Sequence, residues 1–222
     1  MLRKEANFGC AKCGIPIVTI HHIEGYEEGV FRPEELVELC DAHHKMADKC
    51  ALSKQELYAL KSKPFNSDRV HHAFQIPATK VLIVHLGGNQ FIQTPIPLQI
   101  HQEPVISLRI ENGQLLLSVT FYDADDLLRL KMVDNVWDAD IDVFDLRYSE
   151  RAGAEVHLAV KMQESEPYLD LMIVNGEVFL KGKFYRKGML FEIDDSGTFQ
   201  AGKSLFMRGC TARGMSVGIN IA

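Results

Sequence analysis

Two short residue pairs near the N-terminus constrain how this part of the chain can fold. Cys10 and Cys13 form a Cys-x-x-Cys pair, and Cys40 and His43 form a Cys-x-x-His pair after residues 14–39. Each pair turns two donor side chains toward one point, and three thiolates with one imidazole make a closed tetrahedral zinc site. A bound ion also stabilises a segment that is too short to bury a sufficient core. The spacing therefore predicts a structural zinc ion held by these four residues.

The redox state of the cysteines depends on where the protein resides. The N-terminal sequence "MLRKEANFGC" lacks the apolar stretch of a secretory signal. No apolar run approaches the roughly 18 residues of a membrane span. We therefore expect a cytoplasmic protein without membrane association, whose cysteines are reduced thiols or metal ligands. Cys50 is an alternative to His43 as fourth ligand, but it lies outside both pairs, so we expect it to pack as a small apolar residue.

The charge balance excludes a basic nucleic-acid-binding module. The 222 residues suffice for two domains with separate cores, and they include 24 Lys and Arg against 30 Asp and Glu, a formal net charge of −6. Neutralisation of phosphates by Lys and Arg supplies most of the non-specific affinity for DNA. Any nucleic-acid binding by this chain must therefore depend on local charge, on a bound metal or on a partner.

The pattern of residues 1–63 predicts a small unit with one short strand and two helices. The β-branched run Ile15–Ile20 predicts the strand. One helix is expected to begin near Asp41. A second is expected after Ser53, because Ser53 and Glu56 have the spacing of a capping box, and it should end before the following proline.

Residues 80–222 alternate apolar and polar side chains, which predicts an antiparallel β domain, either a sandwich or a β-solenoid-like stack. Asn112-Gly113 and Asn175-Gly176 each separate two alternating runs, the strongest short signal for a hairpin. The residues around these turns match at a constant offset of 63 residues, which indicates either a duplicated hairpin unit or generic hairpin patterning. Further strands are predicted at Leu127–Val133, Ile141–Tyr148, Glu155–Met162 and Met189–Ile193. Residues 64–79, which include the pair His71–His72, predict a linker.

Residues 8–50 resemble the HNH endonuclease family, the ββα-metal nucleases. The resemblance is carried by "CAKC", then "IHHIEG", then "EELVELCDAHHK", in the order and spacing of the family pattern. It implies an α+β protein in which a small zinc-stabilised ββα-metal unit precedes the β domain. It also implies hydrolysis of DNA phosphodiester bonds.

The resemblance assigns roles to individual residues. His21 stands at the position of the first ligand of the catalytic metal, His22 at that of the general base, and His44 at that of the closing metal ligand. Glu35 takes the place of the family's middle Asn, which orients the base, and its negative charge would compete for the metal and repel phosphate. Neighbouring residues of a strand point to opposite faces, so the strand must end or bulge here if His21 and His22 are to reach one phosphate.

These residue types suit phosphodiester hydrolysis. An imidazole titrates near neutrality and can accept the proton of the attacking water. A divalent ion supplies positive charge to the phosphate and to the leaving oxygen. Mg²⁺ prefers oxygen ligands, so two imidazoles favour Mn²⁺ or another transition ion, or tolerance of several ions. One such unit holds one active site and should nick one strand.

Two functions from different classes follow from these patterns. The first is a DNA endonuclease that acts with a protein partner or as a homo-oligomer through the β domain, for example as an effector subunit in bacterial defence. The second is a non-catalytic zinc-binding nucleic-acid or adaptor protein in which Glu35 marks a degenerate site.

Overall fold

The helices of the described chain lie in its first 63 residues, and most of the rest is strand. The computed structural model describes residues 2–151, 154–164, 168–194, 196–203 and 205–222. Within these ranges the helices are α1 (Leu2–Glu5), α2 (Asp41–Asp48) and α3 (Lys54–Ser62), with one turn of 3₁₀ helix at Pro33–Glu35. The predicted α+β class with a β-dominated second part is confirmed. The longest of these helices, α3, has nine residues, and none of the described helices has both the length and the apolar character that crossing a bilayer requires.

Two short strands complete the N-terminal part. The strands β1 (Thr19–His22) and β2 (Leu36–Leu39) pair in the antiparallel direction. The predicted strand Ile15–Ile20 overlaps β1 only at its end. Its first residues belong to the cysteine turn instead, because the backbone N–H of Cys10 donates to the carbonyl oxygen of Ile15 at 2.8 Å.

The capping box predicted at Ser53 is present at the start of α3. The Ser53 hydroxyl accepts a hydrogen bond from the backbone N–H of Glu56 at 3.2 Å, and the Glu56 carboxylate accepts one from the backbone N–H of Ser53 at 2.7 Å. These bonds satisfy two donors that the helix leaves free at its N-terminus. Leu57 is buried against the N-terminal core, and α3 ends at Ser62 as predicted.

The described residues after α3 form two sheets. Their strands are β3 (Arg69–Ala73), β4 (Ile76–Pro77), β5 (Ile83–Leu86), β6 (Asn89–Ile92), β7 (Ile96–Ile100), β8 (Glu103–Glu111), β9 (Gln114–Tyr122), β10 (Leu128–Val133), β11 (Val136–Asp140), β12 (Asp145–Arg151), β13 (Glu155–Lys161), β14 (Tyr168–Val174), β15 (Glu177–Arg186), β16 (Met189–Ile193), β17 (Thr198–Ala201), β18 (Leu205–Arg208), β19 (Thr211–Arg213) and β20 (Val217–Ile221). The first sheet has the order β20-β7-β8-β9-β10-β11-β3, with β4 beside β9. The second runs β12 to β18 in chain order and adds β5, β6 and β19. The buried faces of both sheets contribute to one hydrophobic core, so the sheets pack against each other.

The linker predicted for residues 64–79 is wrong, because this segment holds two strands of the first sheet. β3 pairs with β11, and β4 pairs with β9. Val70 and Phe74 are buried in the common core. The apolar pattern of this segment is short and is interrupted by two histidines, which is why the sequence predicted a linker. The pair His71–His72 therefore lies on a strand, with His71 directed outward and His72 half-buried.

The second part is not wholly antiparallel. β5 pairs with β15, β6 with β19 and β7 with β20, each in the parallel direction. These pairings join segments that are far apart in sequence, so no turn motif between the paired strands indicates them. The other strand pairs of the described part are antiparallel, as predicted.

Both predicted Asn-Gly hairpins are present. Asn112-Gly113 joins β8 to β9, and Asn175-Gly176 joins β14 to β15, with positive φ at all four residues as a type I′ turn requires. The strands β7 to β11 form one meander of five neighbours, and β13 to β17 form the corresponding meander in the other sheet. β9 contacts β15, so the two hairpins face each other across the core. This correspondence beyond the hairpins favours a duplicated unit over generic patterning.

The two turn glycines provide a matched test of this arrangement. Alanine at either position is strained by the positive φ, at a cost of about 1–2 kcal/mol. At Gly176 the added Cβ also lies 2.4 Å from Thr79 Cγ2, whereas at Gly113 nothing lies within 4 Å. We therefore expect Gly176→Ala to lower the free energy of unfolding more than Gly113→Ala, measured by urea denaturation.

The contact with Thr79 is tested by removing its methyl group. Thr79→Ser keeps the hydroxyl that donates to the Val81 carbonyl oxygen but lacks Cγ2. In this background, Gly176→Ala should cost about as much as Gly113→Ala. An equal cost of the two glycine substitutions in the wild-type background would contradict the close approach.

Candidate metal centres and the adjoining histidine

The four predicted zinc ligands lie on two backbone turns that β2 holds together. The carbonyl oxygen of Cys10 accepts from the backbone N–H of Gly14 at 2.8 Å, which closes the Cys-x-x-Cys turn. The backbone N–H of Ala11 donates to the Glu38 carbonyl oxygen at 2.9 Å, which fixes this turn against β2. Cys40 follows β2 directly and is the N-cap of α2, and His43 lies in the first turn of that helix.

The donor atoms of these four residues fit a tetrahedral zinc ion. All four lie within 4.8 Å of one another. Cys13 Sγ is 3.7 Å from Cys40 Sγ, and His43 Nδ1 is 3.4 Å from Cys10 Sγ and 3.3 Å from Cys40 Sγ. Zn–S bonds of about 2.3 Å and Zn–N bonds of about 2.0–2.1 Å place tetrahedral neighbours about 3.5–3.8 Å apart. The cluster can therefore hold a metal ion such as zinc.

The electrostatics of this cluster favour a cation. Burial, together with the neighbouring thiols of Cys10 and Cys40, raises the pKa of the Cys13 thiol to about 12, against one backbone hydrogen bond from Ile15 that lowers it. Several thiolates cannot share so small a buried space unless a positive charge compensates them. A coordinated ion supplies that charge and displaces the thiol protons.

The two remaining cysteines lie outside the cluster. Cys50 and Cys210 are both exposed free thiols. The prediction that Cys50 packs as an apolar residue is wrong. It follows the end of α2 in a left-handed conformation with φ 55°, which turns it away from the core.

A second group of metal-binding side chains joins β1 to α2. His21, His44 and Asp48 each place one donor atom within 4.8 Å of the others. The Asp48 carboxylate lies 3.1 Å from His44 Nδ1 and 3.4 Å from His21 Nδ1. The two imidazole rings meet edge to face, with centroids 4.9 Å apart. The structure thus brings the two predicted metal ligands together and adds a third donor.

Asp48 was not predicted from the sequence, although a signal for it existed. Residues four apart on a helix share one face, so Asp48 was placed beside His44 once a helix was predicted from Asp41. Burial lowers the pKa of His21, the charge of His44 lowers it further, and Asp48 acts in the opposite direction. A lowered pKa keeps His21 neutral at pH 7, the form in which imidazole binds a metal.

His22 faces away from this second group, as strand alternation requires. Its ring meets the ring of Tyr26 edge to face, with centroids 5.2 Å apart. It lines a small pocket together with Glu35 and Arg32. Arg32 lies 3.4 Å from the Glu35 carboxylate. The predicted base and the predicted metal ligands therefore lie on two sides of β1, while His22 remains near enough for its charge to lower the pKa of His21.

A cleft in the β domain is not part of this arrangement. It has a volume of about 650 Å³ and lies in the β domain, between residues 73–77 and the ends of β12 and β13. It contains none of the predicted site residues. The N-terminal clusters are the candidates because their donor atoms converge within 4.8 Å of one another.

Neither a protein-family model, nor a curated protein, nor a solved structure matches this chain. The resemblance of residues 8–50 to HNH endonucleases therefore stays a prediction.

The cysteines offer a matched test of the first cluster. We expect the purified protein to contain one zinc ion per chain, measured by elemental analysis. Cys13→Ser and Cys40→Ser should lose it, and residues 1–63 should then become sensitive to limited proteolysis, because this unit has only a small core of its own. Cys50→Ser and Cys210→Ser, which alter exposed thiols outside the cluster, should retain the zinc. Equal zinc content in all four variants would rule out the assigned ligands.

Proposed function

We propose that this protein is a metal-dependent endonuclease of the HNH type that hydrolyses DNA phosphodiester bonds and nicks one strand per active site. The observation that supports it most is the convergence of His21, His44 and Asp48 on one point. His44 and Asp48 stand on α2, the helix that also carries His43 of the Cys₃His cluster, and His21 stands on β1. His22, the next residue along β1, supplies a histidine outside both clusters.

The second cluster provides the donor set for a catalytic ion. Two imidazoles and one carboxylate suit Mn²⁺ or another transition ion, and Mg²⁺ would have to accept nitrogen ligands. An ion held there would supply the positive charge that stabilises a phosphate under attack and its leaving oxygen. This charge matters because the chain carries a net charge of −6.

His22 is the proposed general base. The small pocket beside it has a volume of about 10 Å³, close to the room that one water molecule needs. The backbone carbonyl oxygen of His22 accepts from the N–H of Gly25 at 3.1 Å, which fixes the chain at the end of β1. Glu35 lines the same pocket. A phosphodiester reaches both sides of β1 by lying across its end, where His22 is the last residue.

A second candidate function is a zinc-binding adaptor without catalytic activity. The observation that favours it is the acidic surrounding of His22. Glu35 replaces a neutral amide of the family pattern, and Arg32 is the nearest cation of the pocket but is held by two carboxylates, those of Glu27 and Glu35. In this function the histidine and aspartate cluster is a hydrogen-bonded group that stabilises α2.

The two functions differ in a plasmid-nicking assay. Supercoiled plasmid incubated with the protein and Mn²⁺ should be nicked, and EDTA should abolish nicking. His22→Ala should lower the rate by about 10²- to 10⁴-fold, the contribution of a positioned base. Its zinc content and thermal midpoint should stay at the wild-type values, because His22 lies outside the Cys₃His cluster.

The control for this variant is His71→Ala, which removes an exposed strand histidine paired with Asp138 at 2.8 Å. It should nick at the wild-type rate. If wild-type protein and His22→Ala are equally inert with Mn²⁺, Mg²⁺, Ni²⁺ and Co²⁺, the adaptor function replaces the endonuclease.

Binding of Mn²⁺ tests the second cluster without requiring activity. Titration of the zinc-loaded protein, followed by electron paramagnetic resonance, should show one Mn²⁺ site. Asp48→Asn should weaken it by at least about tenfold, because an amide lacks the charge of the carboxylate. Asp138→Asn is the matched control, since Asp138 pairs with a single histidine on the surface of the sheet. The same Mn²⁺ affinity in both variants would show that His21, His44 and Asp48 do not hold the ion.

A further inference from the structure

The two most exposed aromatic side chains of the described residues stand in one loop beside the pocket of His22. Tyr26 is 75% exposed and Phe31 is 69% exposed. Large apolar rings left in water contribute little to folding, and two of them in one loop beside a candidate site are available for contact with a ligand. Both belong to the segment that connects β1 to the 3₁₀ turn at Pro33–Glu35.

The Tyr26 ring adjoins the proposed reaction site, and Phe31 belongs to the same loop. The ring of Tyr26 contacts the ring of His22, with centroids 5.2 Å apart. Phe31 lies between Val30 and Arg32, which line the pocket together with His22 and Glu35. The loop therefore presents the Tyr26 ring directly against the proposed base and carries a second exposed ring, Phe31, between two residues that line the same pocket.

The charge of this loop argues against recognition through phosphates. Between Thr19 and Leu36 the chain has a single Lys or Arg, Arg32, against five glutamates, which are Glu24, Glu27, Glu28, Glu34 and Glu35. Arg32 is held by the carboxylates of Glu27 and Glu35 at 3.5 Å and 3.4 Å. The neighbouring Lys54 is bound to Glu24 at 2.7 Å. A nucleic-acid backbone thus meets repulsion along the loop, and affinity has to come from another source.

Stacking on aromatic rings is a source of affinity that this loop itself can supply. We infer that Tyr26 and Phe31 stack on nucleobases, and that the substrate of this site is DNA with unpaired bases rather than intact duplex. In a duplex each base is stacked between its neighbours, and its faces become available to a protein ring only after it is unstacked. This inference rests on the proposed endonuclease, because it names the substrate of that site.

The binding experiment uses His22→Ala as the background, zinc-loaded and with Mn²⁺. Cleavage is blocked in this protein. Because the His22 ring is absent, a substitution of Tyr26 cannot act by moving it. The measured affinity therefore reports stacking alone. A fluorescently labelled single-stranded oligonucleotide should bind, measured by anisotropy. The same length of abasic strand, which keeps the phosphates and lacks the bases, should bind more weakly, and so should the duplex.

Substitutions of the rings then identify the residues. Tyr26→Ala and Phe31→Ala should each weaken binding of the single strand by about 5- to 150-fold, the range for losing one stacked base. Tyr26→Phe keeps the ring and should bind as well as the unsubstituted protein. Phe206→Ala removes a ring of similar exposure, 65%, from β18 of the β domain and should also leave binding unchanged.

Cleavage by the otherwise wild-type protein separates this inference from the endonuclease itself. Negatively supercoiled plasmid, which opens unpaired regions, should be nicked faster than relaxed closed plasmid. If Mn²⁺-dependent nicking is present but duplex or abasic DNA binds as well as the single strand, the inference is overturned and the endonuclease stands. If binding depends on the two rings but no DNA is cleaved, the stacking site stands and the endonuclease is overturned. A loss of binding in Phe206→Ala equal to that in Tyr26→Ala would also overturn the inference.

Discussion

The buried strand β2 is the constraint on which the N-terminal unit depends. Its residues Leu36–Leu39 are all buried, including the acidic Glu38, and both of its edges are occupied. One edge pairs with β1, which carries His21 and His22, and the carbonyl oxygen of Glu38 binds the Cys-x-x-Cys turn. The chain leaves this strand directly into Cys40 and α2. Displacement of β2 would therefore move both metal clusters and the adjoining histidine together.

Backbone periodicity then divides the histidine pairs. On β1, alternation sends His21 toward α2 and His22 toward the loop that holds Tyr26. On α2, a turn of about 100° per residue sends His43 toward the cysteines and His44 toward Asp48. The side chains of His21, His22, His43 and His44 thus point in four different directions, although they come from only two pairs of adjacent residues. A small unit can in this way place a structural centre and a candidate reactive centre side by side without sharing a ligand.

Features that depend on a few neighbouring residues could be predicted from the sequence, and features that depend on distant pairing could not. The Cys-x-x-Cys turn, the capping box at Ser53 and the two Asn-Gly hairpins are local, and the structure contains all of them. The strand Arg69–Ala73 pairs with β11, which is distant in sequence. Its own apolar pattern is short, so the sequence predicted a linker. Asp48 is an intermediate case. Its position beside His44 follows from the four-residue spacing on α2, but its contact with His21 depends on where β1 lies.

The connection between the two parts of the chain is a set of specific contacts rather than a flexible tether. Phe8 is 1% exposed and belongs to the core of the β domain, although it lies two residues before Cys10. Lys4 Nζ donates to the carbonyl oxygens of Ile141 and Val143, both at 2.6 Å, and Asn66 donates to the carbonyl oxygen of Gly14 at 3.3 Å. Segments on both sides of the cysteine turn are therefore fixed to the sheets. These contacts hold the N-terminal clusters at a set position relative to the sheets, which a flexible linker does not do.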